Sequence, residues 1–121
     1  MRAVFIETRS FTAWVQDALT FSEFAAFQES LMEQPDYGAV IPGCGGLRKA
    51  RVANDRQGQG RRGGSRVIYL HLPEIKQFLL VTGYDKNRKT DLSSVEKQQL
   101  RVLVEVAKEE ARNKSRRVKR D

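Results

Sequence analysis

One cysteine, one histidine and three prolines in 121 residues leave several chemistries without material. Cys44 has no partner within the chain, which excludes a disulfide framework. Cys44 and His71 cannot supply the four N or S ligands of a conventional zinc site, so neither metal nor cofactor is expected. No run of about twenty apolar residues is present to span a bilayer. The N-terminal stretch MRAVFIETRS is broken by Glu7 and Arg9 before it reaches the length of a secretory apolar core. A cytoplasmic protein with no membrane contact is the expectation. The glycine-rich turn Ile41-Pro42-Gly43-Cys44-Gly45-Gly46 lacks the Gly-Lys-Ser/Thr ending of a phosphate-binding P-loop. Cys44 within it is incidental.

What the chain has is positive charge, unevenly spread. Lys and Arg number 22 against 15 Asp and Glu, for a net charge of +7. Residues 1–44 contain two basic and six acidic residues, and residues 45–121 contain twenty and nine. Between 45 and 72 the ratio is seven to one, and Arg112, Lys114, Arg116, Arg117, Lys119 and Arg120 close the chain. Such a field attracts phosphate-rich partners through steering and counterion release.

The length suits one domain. Ala3–Ile6 reads as a first strand, and Phe11, Trp14, Val15 and Leu19 fall at helical spacing over about 11–18. Thr20-Phe21-Ser22-Glu23 has the form of a capping box opening a second helix, with Phe24, Phe27 and Leu31 as its apolar stripe and Pro35 as its stop. Strands are predicted over 47–53, 65–72 and 76–84. The first of them places Lys49 and Arg51 on one face, with Ala50 and Val52 on the other. The stretch 54–64 contains nothing to bury and reads as a surface loop. Asp85–Asp91 reads as a polar turn, and Ser93-Ser94-Val95-Glu96 starts a last helix to about 112, buried through Leu100, Leu103, Val104, Ala107 and Ala111. Residues 1–112 then form the domain, and the basic tail 113–121, with Val118 its one apolar residue, is expected to be disordered. The order of elements gives an α+β domain, with helices on one face of a mostly antiparallel sheet.

Antiparallel neighbours bring three basic segments together: Lys49/Arg51, Arg61-Arg62-Gly63-Gly64-Ser65-Arg66, and Tyr84-Asp85-Lys86-Asn87-Arg88-Lys89. Cleaving an RNA phosphodiester requires a base for the 2′-hydroxyl proton, an acid for the 5′-oxygen, and cations for charge developing on phosphorus. His71 sits mid-strand and reads as structural. Lysine crowded by other cations becomes accessible as a base, while arginine stays charged and clamps phosphate through two parallel hydrogen bonds. The same residue types would equally make an RNA-binding patch that cuts nothing.

The runs Gly45-Gly46-Leu47-Arg48-Lys49-Ala50-Arg51-Val52, Arg62-Gly63-Gly64-Ser65-Arg66-Val67-Ile68-Tyr69 and Tyr84-Asp85-Lys86-Asn87 resemble the RelE/ParE toxin superfamily, and within it the HigB-like RelE branch. The resemblance covers about residues 1–110. It implies the RelE-like fold, an N-terminal helical hairpin packed on a twisted, mostly antiparallel sheet with a C-terminal helix. It further implies the toxin of a type II toxin–antitoxin pair that cuts mRNA in the ribosomal A site. Its expected partner is a HigA-type antitoxin with a helix-turn-helix, through which alone promoter DNA would be reached.

By motif position, Lys49 and Arg51 match the basic strand pair at the scissile phosphate, and Arg66 the arginine that stabilises the transition state. Lys86 falls in the segment carrying further basic catalytic residues, although Asn87 stands where RelE itself has Arg. The C-terminal helix has no obvious tyrosine, and Tyr84 is taken as the stacking phenol. Arg48, Arg56, Arg61, Arg62, Ser65 and Lys89 are expected to bind RNA or ribosome around this centre. Two other readings stay open. The ParE branch of the same fold inhibits DNA gyrase without cutting RNA, and a plain RNA- or ribosome-binding module would keep the patch alone.

Overall fold

A computed structural model describes residues 2–52, 64–86 and 91–120, with backbone only for 118–120. The stretch 53–63, and with it most of the predicted surface loop, lies outside the described residues, as do 87–90. The chain runs β1 (Val4–Glu7), α1 (Arg9–Ala18), α2 (Phe21–Glu33), β2 (Ala39–Val40), β3 (Arg48–Val52), β4 (Ser65–Leu72), a single 3-10 turn (Pro73–Ile75), β5 (Gln77–Asp85) and α3 (Ser94–Arg120). The five strands lie in the order β1-β5-β4-β3-β2. β1 runs parallel to β5, and the other pairs are antiparallel.

Local chemistry sets the boundaries. The Thr8 hydroxyl accepts from the Phe11 amide at 3.1 Å and so ends β1 and starts α1 within one residue. Thr20 and Glu23 close the predicted capping box on α2, at 3.1 and 2.8 Å. Ser93 and Glu96 do the same for α3.

Helices cover both faces of the sheet, not one as the element order suggested. Phe11, Val15, Phe27 and Leu31 of the α1–α2 hairpin pack with Ala50, Val52, Val67, Tyr69, Phe78 and Leu80. On the other face Leu103, Val104, Ala107 and Ala111 of α3 pack with Ile68, Leu70, Leu72, Val81 and Tyr84. The unbroken apolar run Val67-Ile68-Tyr69-Leu70 is the reason: a strand whose alternate residues are all apolar needs a partner on each side. Phe5, Phe78 and His71 stack across β1, β5 and β4, with centroids 5.1 and 4.6 Å apart. His71 is thus a structural ring, and burial lowers its pKa from the ordinary histidine value.

The tail expected to be disordered from 113 is helical to Arg120. It has little to bury, but Lys and Arg are good helix formers, and cations are favoured at a helix C-terminus by the macrodipole.

One irregularity organises β5. Ile68 pairs with Thr82 and Tyr69 with Leu80, so Val81 is an extra residue, a bulge. Its carbonyl accepts from the Thr8 hydroxyl, which ties the bulge to the start of α1. Beyond it Gly83 lies opposite Val67, beneath the Trp14 ring of α1. A Cβ at Gly83 would sit 2.1 Å from Trp14 Cε3. Gly83→Ala should therefore destabilise the fold by about 1–3 kcal/mol, the usual cost of overpacking. Urea denaturation checks this: an unchanged midpoint would mean that Trp14 moves aside freely.

Candidate active site

β3, β4 and β5 carry the site because their register aligns it. Arg51 lies opposite Arg66, and Arg66 opposite Tyr84, forming one cross-strand row on the α3 face. Lys49, two residues back along β3, shares that face. Directly opposed side chains on adjacent strands have Cβ atoms about 4.5–5.5 Å apart. The row therefore sets two arginines side by side, with Tyr84 packed next to Arg66 and its hydroxyl buried.

Arg66 is 8% exposed, and its guanidinium donates to the Ser65 carbonyl at 3.3 Å. Arg51 is exposed and Lys49 half-buried. The Lys49 ammonium donates to the Asp91 carboxylate at 3.3 Å. Asp91 also accepts from the Leu92 amide at 2.8 Å, and this amide, followed by Lys49, holds its carboxyl below the ordinary aspartate pKa. Asp91 was expected only as the end of a polar turn. Forty-two residues of separation hide its pairing with Lys49, although a carboxylate beside a cationic cluster is its natural counter-ion.

Tyr84 is 7% exposed and packs in the α3-side core, so it offers no open ring face as a stacking platform. Burial, then Asp91, raises its pKa above 10.0, and Arg66 works against that rise.

Two residues expected at an RNA interface have other work. Ser65 is fully buried and donates to Asp85 at 2.9 Å, pinning the β4–β5 register. Arg48 falls on the opposite face from Lys49 because strand side chains alternate. It donates to the carbonyls of Gly38 at 2.7 Å and Asp36 at 3.2 Å. There it fixes the entry to β2, alongside Tyr69, whose hydroxyl donates to the Pro35 carbonyl and accepts from the Gly38 amide. Lys86 is exposed just past β5, at the same end of the sheet, and its amide donates to the Gly64 carbonyl. Arg56, Arg61, Arg62 and Lys89 lie outside the described residues. A groove between α2 and β3 also reaches Arg51, but Glu23 in its lining cancels that charge and leaves phosphate no net attraction there. Among the described residues, no cluster of His, Cys, Asp or Glu could hold a metal ion, and no helix is long and apolar enough to cross a membrane.

Fold and site together define a small α+β protein that gathers Lys49, Arg51 and Arg66 on one face of its sheet. A family model described as the RelE toxin of the RelE/RelB toxin–antitoxin system matches residues 6–120, and the chain belongs to that family. A solved structure of a mutant of the E. coli toxin RelE in the free state is similar in fold, with a TM-score of 0.50 at 15% identity, covering 74% of this chain and 90% of that one.

The raised Tyr84 pKa has a consequence for stability. Because the folded phenol keeps its proton at pH values where the unfolded one has lost it, Tyr84 contributes stability fully below pH 10, and this is lost as pH rises through the folded value. Urea midpoints measured from pH 8 to 11 should fall at the alkaline end, and less steeply in Tyr84→Phe. Parallel curves for the two proteins would refute the assignment.

Proposed function

We propose that this RelE-family toxin is a metal-independent endoribonuclease that cuts mRNA on the translating ribosome and so stops translation. The observation that carries the reading is the row Arg51–Arg66–Tyr84 with Lys49 on the same face. Like charges placed directly opposite on neighbouring strands cost stability. A fold that sets two arginines across from each other and buries one of them gains from an anion that bridges them.

In the reaction, the 2′-hydroxyl attacks the adjacent phosphorus, forming a 2′,3′-cyclic phosphate and releasing the 5′-oxygen. Arg51 and Arg66 take the charge that develops on the non-bridging oxygens. These preorganised donors are worth most where water is excluded, as at Arg66. Lys49 lies beside them as base or as a third cation, with Asp91 setting the position of its ammonium. Tyr84 packs beside Arg66 from β5 with its hydroxyl buried, so it positions that guanidinium, and the proton for the leaving oxygen falls to an exposed ammonium of the rim. Lys86 extends the cationic rim. A HigA-type antitoxin would neutralise the protein in the cytoplasm. The ParE-like alternative gives this cluster no task, and nothing else in the site favours it.

Arg66→Ala should abolish growth arrest and lower cleavage at saturating toxin by roughly 100-fold or more, the scale for losing one transition-state donor. Primer extension on a translated message reads the cuts, which should fall in phase with codons, and a thermal melt confirms folding. A folded Arg66→Ala protein that still cuts at the normal rate would defeat the mechanism. A wild type that arrests growth without cuts would move the protein to the binding-only readings.

A further inference from the structure

Past Ala111 the described side chains of α3 contribute nothing to the core, yet the helix continues and is strongly cationic. Among the described side chains of the helix Ala111 is the last buried one, where it meets Leu72, Ile75 and Leu79 at the end of the sheet. From Arg112 to Arg117 no described side chain is buried, and Arg112, Lys114, Arg116 and Arg117 are exposed. Arg112 is partly neutralised by Glu109 one turn back. The macrodipole accounts for cations in the last turn only, so it does not explain Lys114 and Arg116. Like charges at i, i+4, such as Arg112 and Arg116, oppose the helix.

We propose that this end of α3 is a second RNA-docking element, gripping the phosphate backbone of structured RNA away from the cleavage site. The inference rests on the RNA-cutting reading for the identity of its partner. At 1.5 Å per residue, Arg116 lies about 33 Å along the helix from Ser94, which stands beside the catalytic end of the sheet. That span exceeds the few nucleotides around one scissile bond, so the anion met there belongs to a different stretch of backbone. The sequence Arg-Asn-Lys-Ser-Arg-Arg over 112–117 contains no apolar residue. A protein partner needs an apolar centre to its interface, whereas nucleic-acid interfaces are polar and strongly positive. Successive cations at 114, 116 and 117 also point around the helix, which suits phosphates on two sides of a groove better than one flat surface.

The test uses the full chain with Lys114→Gln, Arg116→Gln and Arg117→Gln combined, since Gln keeps helix propensity. Binding to purified ribosomes and to a double-stranded RNA hairpin is measured across a salt series, together with cleavage at saturating toxin, antitoxin affinity and circular dichroism. Affinity at low salt should fall about tenfold or more, and the salt slope should drop by about 2 to 3. The saturated cleavage rate and antitoxin affinity should not change. The charge-keeping variant Lys114→Arg, Arg116→Lys, Arg117→Lys should bind as the wild type does. Unchanged RNA affinity and slope, a loss confined to the antitoxin, or failure of the charge-keeping variant to bind would each overturn the inference. If the wild type binds RNA through these residues and cuts nothing, the nuclease reading fails and the docking element stands.

Discussion

The extra residue in β5 fixes what the rest of the sheet can present. Without Val81 as a bulge, the pairing of Tyr69 with Leu80 would continue to Arg66 opposite Gly83 and Ser65 opposite Tyr84. Tyr84 would then point toward the α1–α2 hairpin, and a one-residue shift would turn every later side chain of β5 over. The bulge puts Tyr84 beside Arg66 and Gly83 under Trp14 in one step. The Thr8 hydroxyl satisfies the bulge carbonyl while also capping α1. One short side chain therefore couples the first helix, the strand irregularity and the row of the site.

This coupling marks where the sequence was readable. β4 occupies 65–72 as predicted, because Val67 to Leu70 supply apolar side chains to both faces of the strand. The capping boxes at Thr20 and Ser93 are local hydrogen-bonding patterns, and both form as the sequence suggests. Lys49, Arg51 and Arg66 share a face as strand periodicity and antiparallel pairing require. Nothing local marks Val81 as a bulge, since the extra residue is apolar like its neighbours and is recognised only by its partner strand. Arg48 and Ser65 show the same limit. Residue type allowed both to be surface binders, but alternation turns them to the hairpin side, where backbone carbonyls and Asp85 engage them. The helix over the tail is hidden from the sequence because lack of apolar residues excludes only a packed element, and a helix extended from an anchored one needs no packing of its own.

The charge asymmetry along the chain becomes an asymmetry between faces. The α1–α2 hairpin, with Asp17, Glu23, Glu29 and Glu33, covers one side of the sheet, while Lys49 and Arg51, with the buried Arg66 beside them, lie on the other. The sheet thus separates an acidic cover from a basic working surface. A polyanion approaching from the wrong side meets repulsion, and one approaching from the α3 side meets an attractive field, so orientation is selected before contact. Asp91 tempers that surface at Lys49, the point where a cation would otherwise face solvent with no counter-charge.

That separation also constrains how the protein can be kept silent. An inhibitor that covers the basic face must match several cations, including a guanidinium that is already buried, and pays for desolvating them. An inhibitor seated on the hairpin meets exposed carboxylates and leaves the row open. Blocking the activity from there requires a shift in α1, and α1 is tied to the site through Thr8 at the bulge and Trp14 on Gly83. Displacing α1 would release the Val81 carbonyl and the packing over Gly83, and with them the register that sets Tyr84 against Arg66. The fold therefore offers a mechanical route from the acidic face to the basic one, running through the same irregularity that assembles the site.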